Sequence, residues 1–408
     1  MAGITTTNFV DSNGVDLGKK LVTKDYLLEV YGTILENSPA SGLIVTPELW
    51  TWGKVGEGQL GNNNTTTDRG TPVTTFAGGT NWKQISCGNY HTAAIKTDGT
   101  LWTWGAGGYG RLGTSDSTTR STPVTTFAGL NTWKQVSAGP AHTAAIKTDG
   151  TLWTWGRGGS GQLGNNDTTD RNTPVTTFTG GTNWKQVSVG DRFMGAVKSD
   201  GSLWLWGANY AGNLGRGNTN GANPVPAQTS AGGTNWKQVA CGQYHTLAVK
   251  TDGTLWVWGG NDDSSLGINN TGNRPNPVTT FAGETTWKQV SAGGNTSAAI
   301  KTDGTLWTWG GSGNGVLGTN DTTPNRNTPV TTFVGGTNWK QVSLNGFISA
   351  VKTDGTLWVW GRNDNGGLGT NDGNAKYVPV TTFAGGNNWK QVSTGFLHTA
   401  AIQTIDYI

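Results

Sequence analysis

Apolar and polar positions along this chain alternate in short runs that end in turns, and the runs recur. Residues 80–105, TNWKQISCGNYHTAAIKTDGTLWTWG, hold three of them. In WKQIS large and polar side chains alternate, HTAAIKT follows across a short glycine-containing loop, and TLWTWG follows KTDGT. A two-residue period of this kind predicts half-buried strands. The Asp-Gly pair tolerates the positive φ of a tight hairpin, joining the second run to the third. A fourth run, PVTTF, opens on proline, which has no N–H for a ladder, so it is expected at a sheet edge.

The runs have a fixed spacing. The LWxW pairs begin at Leu49, Leu101, Leu152, Leu203, Leu255, Leu306 and Leu357, in steps of 51 or 52 residues. WKQ triplets stand at Trp82, Trp133, Trp184, Trp236, Trp287, Trp339 and Trp389, and together the two motifs use all 21 tryptophans. Seven units of four antiparallel strands predict an all-β, seven-bladed β-propeller. The Asp-Gly hairpin occurs six times, at Asp98, Asp149, Asp200, Asp252, Asp303 and Asp354. After Ala400-Ala401-Ile402-Gln403 the seventh is missing, and its third strand, Leu49-Trp50-Thr51-Trp52-Gly53, stands at the start of the array. The last blade is therefore expected to take two strands from each end, a 2+2 closure that leaves no open edge. Residues 49–408 form the propeller on this reading, and residues 1–48 a separate N-terminal segment.

Composition narrows the function classes. Glycine is 66 of 408 residues and charged side chains are 13%, which suits turn-rich β structure. A net charge of +3 is too small to draw the chain to nucleic acid or to a membrane surface. No run of about 18 apolar residues is present, so membrane insertion is not expected. MAGITTTNFV has neither the basic start nor the apolar core of a signal peptide.

Candidate chemistry is sparse. His91, His142, His245 and His398 are all the histidines, and they share one repeat position, where the other blades are expected to carry Phe193, Thr296 and Ile348. Recurrence with the blade favours a structural role over a metal or catalytic set. Cys87 and Cys241 share another position three blades apart, far beyond disulfide reach, and read as small buried thiols. The WKQ lysines, from Lys83 and Lys134 onward, form a sevenfold set that can line a channel and hold an anion; alternation on a half-exposed strand explains them as well. Turns such as Asn166-Asp167 and Asn371-Asp372-Gly373 lack alternating ligands at calcium-loop spacing, so no metal is expected. Gly105-Ala106-Gly107-Gly108-Tyr109-Gly110 imitates a nucleotide fingerprint without its βαβ setting, so no cofactor is expected either. With no Ser-His-Asp set, glutamate pair or phosphate loop, the chain reads as a non-enzymatic binding protein.

The sequence G-x-x-H-T, a strand, LWxWG and then G-x-x-G-x-LG resembles the repeat of the regulator of chromosome condensation family over residues 49–404. That family has seven-bladed propellers and includes an exchange factor for a small GTPase, a plant UV-B photoreceptor and a secreted β-lactamase inhibitor. The exchange factor works through a β-wedge inserted in one blade, and no repeat here has room for one. The photoreceptor motif is G-W-R-H-T. The matching segments here, Gly88-Asn89-Tyr90-His91, Gly139-Pro140-Ala141-His142, Gly242-Gln243-Tyr244-His245 and Gly395-Phe396-Leu397-His398, all lack the tryptophan.

Strand order places the loops between strands one and two, and the long loops between three and four, on one face. The Asp-Gly hairpins and the TTFAGGTNW connections take the other. The hairpin face is uniform from blade to blade and the loop face diverges. All ten arginines are expected in loop-face loops, twelve cations there facing eleven carboxylates. A mixed surface of this kind suits a protein or glycan. Its expected contact residues are Tyr90, Tyr109, Arg111, Arg157, Arg192, Phe193, Tyr210, Tyr244, Asp262, Asp263, Phe347, Arg362 and Phe396.

Ahead of the repeats, apolar Leu27, Leu28, Val30, Tyr31 and Ile34 follow Thr23, a plausible N-cap, and predict a short helix. The stretch GVDLGKKLVTKDYLLEVYGTI resembles N-termini of virion structural proteins from marine tailed phages that carry this propeller. The resemblance implies a virion location, with Tyr26, Leu27, Val30, Tyr31 and Ile34 as an anchor on another virion protein and the disc displayed toward a host-surface protein or glycan. The alternative is a cytoplasmic interaction scaffold.

Overall fold

The computed structural model describes residues 44–76, 80–127, 129, 131–281, 283–321 and 325–407. Pro47–Thr404 forms one compact unit, and it carries the propeller. The helix expected near residues 23–34 and its anchor residues lie outside the described residues. Among those described there is no α-helix, only strands, turns and two short 3-10 turns, at Gly108–Gly110 and Gly313–Gly315.

Seven four-stranded antiparallel sheets make up the ring. The first blade is typical: strand one Trp82–Cys87, strand two His91–Lys96, strand three Leu101–Gly105 and strand four Arg120–Thr125. Trp82 pairs with Lys96, His91 with Gly105, and Gly105 with Arg120. Strand four holds one edge of every sheet, as its proline requires. The closing blade is composite, with Arg69–Thr74, Ile44–Gly53, His398–Tyr407 and Trp389–Thr394 in that order, so the 2+2 closure is observed. One register expectation is corrected. Phe347, not Ile348, takes the histidine position, because Phe347 pairs with Gly361 as His91 pairs with Gly105; the preceding loop is one residue shorter.

Three belts of hydrogen bonds join neighbouring blades. Nearest the axis, each WKQ glutamine reaches the next strand one: Gln84 Oε1 accepts from Val136 N at 3.0 Å and its Nε2 donates to Val136 O at 3.3 Å. The series returns to its start where Gln391 Oε1 accepts from Ile85 N at 3.2 Å. Serines two positions on do likewise, Ser86 Oγ accepting from Ala138 N at 2.9 Å, except where Ala240 replaces the serine. These side chains saturate the inner sheet edges, which otherwise would present unpaired N–H groups.

The middle belt runs through the buried second tryptophan of the LWxW pair in every blade but the closing one, where Trp52 Nε1 bonds none of the described residues. Trp104 Nε1 donates to Gln59 O at 2.9 Å, Trp155 Nε1 to Arg111 O at 2.9 Å and Trp258 Nε1 to Asn213 O at 2.9 Å, each acceptor lying in the preceding blade's loop between strands three and four. A hydroxyl on the same blade as the tryptophan shares that carbonyl, Thr143 Oγ1 donating to Arg111 O at 2.8 Å. The glycine of the loop's Leu-Gly pair lies flat against the indole. At Gly113 (φ +69°) a Cβ would sit 2.8 Å from Trp155 Nε1, so no other residue fits. Further out, a positive-φ residue of each loop donates its N–H to the next strand four, as Asn63 does to Ser121 O at 3.0 Å and Asn371 to Gly70 O at 2.9 Å.

Each strand-one tryptophan is buried between its blade's other two. Trp82 meets Trp102 and Trp104 edge-on at 6.4 and 6.2 Å. Because Trp258 links two blades while half-buried Trp256 bonds only Thr254 of its own hairpin, at 3.0 Å, the two are unequal. Trp258→Phe is expected to cost about 2–3 kcal/mol in chemical denaturation, and Trp256→Phe about 1 kcal/mol or less. Equal costs would show that the cross-blade bond contributes nothing of its own.

Candidate functional site

The hairpin face is built from local caps. Asp149 Oδ1 accepts from Thr151 N at 2.9 Å and Oγ1 at 2.7 Å, and these bonds hold its carboxyl below the usual range. Trp153 Nε1 donates to the same threonine hydroxyl at 2.9 Å, and Lys147 Nζ lies 4.0 Å over the Trp153 ring. Near-copies of this cap occupy the other five Asp-Gly hairpins, which explains the uniformity of that face without reference to a ligand.

The loop face differs from expectation in its arginines. Arg69, Arg120, Arg171, Arg274 and Arg326 are not in loops; each opens a strand four. Three of them close their own loops onto aspartates, Arg120 on Asp116 at 2.6 Å, with Arg171–Asp167 and Arg326–Asp321 alike. Lys376 does the same with Asp372 at 2.7 Å. These charges are spent on loop shape.

Three of the thirteen expected contact residues are buried. Phe193 and Phe347 are 1% and 2% exposed, since both occupy the inward histidine position on strand two. Arg111 is 7% exposed because its guanidinium is turned into the loops, Nε donating to Gly108 O at 2.9 Å and Nη1 to Pro140 O at 2.8 Å. An aromatic or a cation beside a loop is not thereby a contact residue.

The others fall into three clusters. In the first, the half-exposed Tyr109 ring lies 5.2 Å from the Arg157 guanidinium and 5.8 Å from that of Arg111. Tyr90 is half-buried nearby, close enough to act on the Arg111 charge. Burial raises the Asp191 carboxyl pKa while Arg192, 3.6 Å away, and Arg157 oppose the rise. In the second, Tyr244, 43% exposed, meets Asp262 and Asp263 at one cavity, and Tyr210, 57% exposed, precedes Ala211 of its lining. Tyr244, Asn261, both aspartates and Asn295 border a cavity of about 130 Å³. Asp263 accepts from the Asn295 and Asn325 amides, which leaves Asp262 as the solvent-facing carboxylate. In the third, Arg362 pairs with Asp364 and its guanidinium lies 5.8 Å over the Phe396 ring.

Buried titratable groups serve the fold. His91 Nε2 bonds Thr143 Oγ1 of the next blade at 2.8 Å, His245 bonds Ser297 Oγ at 2.9 Å, and His398 bonds Thr92 Oγ1 at 2.9 Å. Met194 stands at the corresponding position opposite His142, and the hydroxyl is lost there. Burial pushes His142 and His398 down to about 3 and His245 to about 4. The Cys87 and Cys241 thiols are free, buried and pushed up to about 12 by desolvation, so neither is a nucleophile at neutral pH. Among the described residues no cluster of three His, Cys, Asp or Glu could hold a metal.

Sequence reasoning missed a ring of exposed phenylalanines. Phe76, Phe127, Phe178, Phe281, Phe333 and Phe383 end the PVTTF runs and are 62–68% exposed, with Ser230 in the remaining blade. No alternation in the run marks them: along Pro123–Phe127 the side chains are buried, half-buried, exposed, buried and exposed, and the phenylalanine lies beyond strand four, which ends at Thr125.

A seven-bladed ring with this repeat defines a class of propeller, and sequence profiles agree. The RCC1-like domain matches residues 42–347, and the regulator of chromosome condensation (RCC1) repeat matches residues 354–402. The chain belongs to the RCC1-like propeller family. It is 34% identical over 277 residues to the Ultraviolet-B receptor UVR8 of Arabidopsis thaliana, covering 66% of this chain and 62% of the receptor. The mitochondrial RCC1 domain-containing protein RUG3 of the same plant is 32% identical over 303 residues, covering 71% of this chain and 67% of RUG3. The human E3 ubiquitin-protein ligase HERC2 is 29% identical over 245 residues, 58% of this chain and 5% of the ligase. The chain thus spans less than two thirds of two of these relatives. In fold it is similar to human WBSCR16 (TM-score 0.75, 20% identity, 88% of this chain and 98% of that one). It is similar also to yeast RCC1 (Prp20) in its complex with Kap60 (TM-score 0.76, 17% identity, 91% and 94%).

The histidines give a pH prediction. Their folded pKa values lie below the ordinary 6.5, so between pH 6.5 and about 4 the unfolded chain takes up protons that the fold excludes. Their stabilisation is complete above pH 6.5 and is lost as pH falls through that window. His245→Phe, copying Phe193 of the adjacent blade, is expected to give a shallower fall of melting temperature from pH 6.5 to 4. Parallel profiles for the two proteins would contradict the assignment.

Proposed function

We propose that this chain is a non-enzymatic binding protein that engages a protein or glycan through its loop face, as a phage virion appendage or tail-associated adhesin whose N-terminal segment attaches to the particle. The observation that carries the binding reading is the second loop-face cluster. An exposed tyrosine, a free carboxylate and amides border a small cavity there, with a second exposed tyrosine one residue from its lining, in loops whose neighbours spend their charges on internal ion pairs. Aromatic anchors beside polar groups are the composition of interface hot spots and of sugar-binding clefts. The relatives support the same level of description: a receptor and a ligase share this disc, and their activities have no common chemistry, so recognition is what transfers. Light sensing is not proposed, because the tryptophan of the photoreceptor motif is absent from all four histidine segments. The virion assignment rests on the resemblance of residues 14–34 to phage structural proteins. A second reading, a cytoplasmic interaction scaffold, is favoured by the plant and animal origin of these relatives.

Two measurements test these readings. Replacing Arg192 and Tyr210 together by alanine is expected to weaken attachment to host cells or to the purified partner by about 2 kcal/mol or more with little change in melting temperature. Asp98→Asn with Asp149→Asn on the hairpin face should leave attachment intact. The reverse result would mean that the wrong face was chosen. Removing residues 1–43, which precede the first described strand, should leave a folded disc that no longer joins its assembly. A scaffold would keep its partner after that deletion, and a truncated chain that cannot fold would rule out a separate anchor.

A further inference from the structure

The hairpin face holds a site that the binding reading does not use. In all seven blades the second residue of strand one is an exposed lysine: Lys83, Lys134, Lys185, Lys237, Lys288, Lys340 and Lys390. Strand one is the innermost strand, and its tryptophan end meets the hairpin, as Trp133 N donates to Gly99 O at 3.0 Å. These lysines therefore encircle the axis at the hairpin-face mouth of the channel. Three on consecutive blades, Lys340, Lys390 and Lys83, line a cavity of about 480 Å³ together with Gln341 and Gln391.

Charge is distributed unevenly between the faces. The loop face sets twelve cations against eleven carboxylates, whereas the hairpin face sets thirteen lysines against eight. Most of those eight are committed away from the axis. Six aspartates cap their own hairpins between strands two and three, and Glu284 pairs with Lys301. Six of the lysines, at the ends of strand two, are stacked over tryptophans, as Lys96 is over Trp82 and Trp102 at 4.9 and 4.7 Å. The seven inner lysines have neither kind of partner, and none forms an ion pair among the described residues. Seven ammonium groups around one concave mouth focus a positive potential that attracts an incoming anion. Lysine is a compact point charge and donates three N–H bonds without the planar fork that favours carboxylates, so the ligand that matches is small and of high charge density.

We propose that the channel mouth on the hairpin face binds a compact multivalent phosphate anion, with Lys83, Lys340 and Lys390 as its principal ligands. The site lies on the face opposite the proposed partner surface, so either can fail without the other.

The test is calorimetric titration of the full chain with sodium tripolyphosphate at low ionic strength, with orthophosphate as the monovalent-site comparison. One tripolyphosphate per chain is expected, bound at least tenfold more tightly than orthophosphate and weakening as salt rises. Lys83→Gln, Lys340→Gln and Lys390→Gln combined should lower the affinity at least tenfold, whereas Lys54→Gln, Arg274→Gln and Lys376→Gln, equal in charge change, should not. Should the triple variant not fold, Lys340→Gln alone is expected to weaken binding severalfold and to reduce the rise in melting temperature that tripolyphosphate produces. Equal affinity in both triple variants, or heat without saturation, signifies an adventitious ion only and overturns the site. Sedimentation with phosphatidylserine vesicles in the absence of any tripolyphosphate response would also overturn it, in favour of a lipid surface.

Discussion

The bond from a buried indole N–H to a loop carbonyl of the preceding blade is the constraint on which this ring depends. It fixes the third strand of one blade against the loop that leaves the third strand of another, at about 2.9 Å in Trp104, Trp155, Trp258, Trp309 and Trp360. To deliver that carbonyl the loop must dip between the blades, and it can do so only if a glycine lies against the indole. The Leu-Gly pair of every repeat follows from this geometry, and so does the outer positive-φ residue that then reaches the next strand four. A lost indole N–H would leave a buried acceptor weakened and a gap in a core where each strand-one tryptophan packs edge-on against its neighbours.

Because the glutamine belt and the outer belt serve every junction, the closing blade needs no covalent link. The glutamine relay that starts at Gln84 ends at Gln391 and Ile85 as if the chain were continuous there. The ring in turn divides the demands on sequence. Positions within the belts and hairpin caps are bound to repeat, and the middle parts of the loops are not. Blade-specific tyrosines can therefore gather on the loop face without cost to the core, while an identical lysine is multiplied sevenfold around the axis.

That division explains where residue-level reading succeeded and where it failed. Tyr210, Tyr244 and Asp262 stand outside the belts, and their exposure followed from that. Arg111 has the same sequence credentials, but its loop folds its guanidinium back onto Pro140 O and Gly108 O. Phe193 looked like a loop aromatic because it follows Asp191 and Arg192; it is the first residue of strand two, replacing a core histidine. Phe127 looked like part of a strand and is exposed, because the chain has already left the sheet for the next blade.

The sequence by itself determined the blade count, the four-stranded unit, the outer position of the proline strand and the 2+2 closure. Each of these depends on periodicity and on backbone chemistry, which are written residue by residue: a two-residue alternation, an Asp-Gly turn, a missing N–H. Only the tertiary structure decided which cations are spent on loop shape, which aromatics face solvent and that Phe347 rather than Ile348 takes the histidine position. The ion pairs Arg120–Asp116, Arg171–Asp167 and Arg326–Asp321 span few residues but form only once the loop between strands three and four is folded. The Phe347 register turns on a one-residue difference in loop length. A side chain's partner across a blade junction is set by the packing of two sheets, and no local pattern records it.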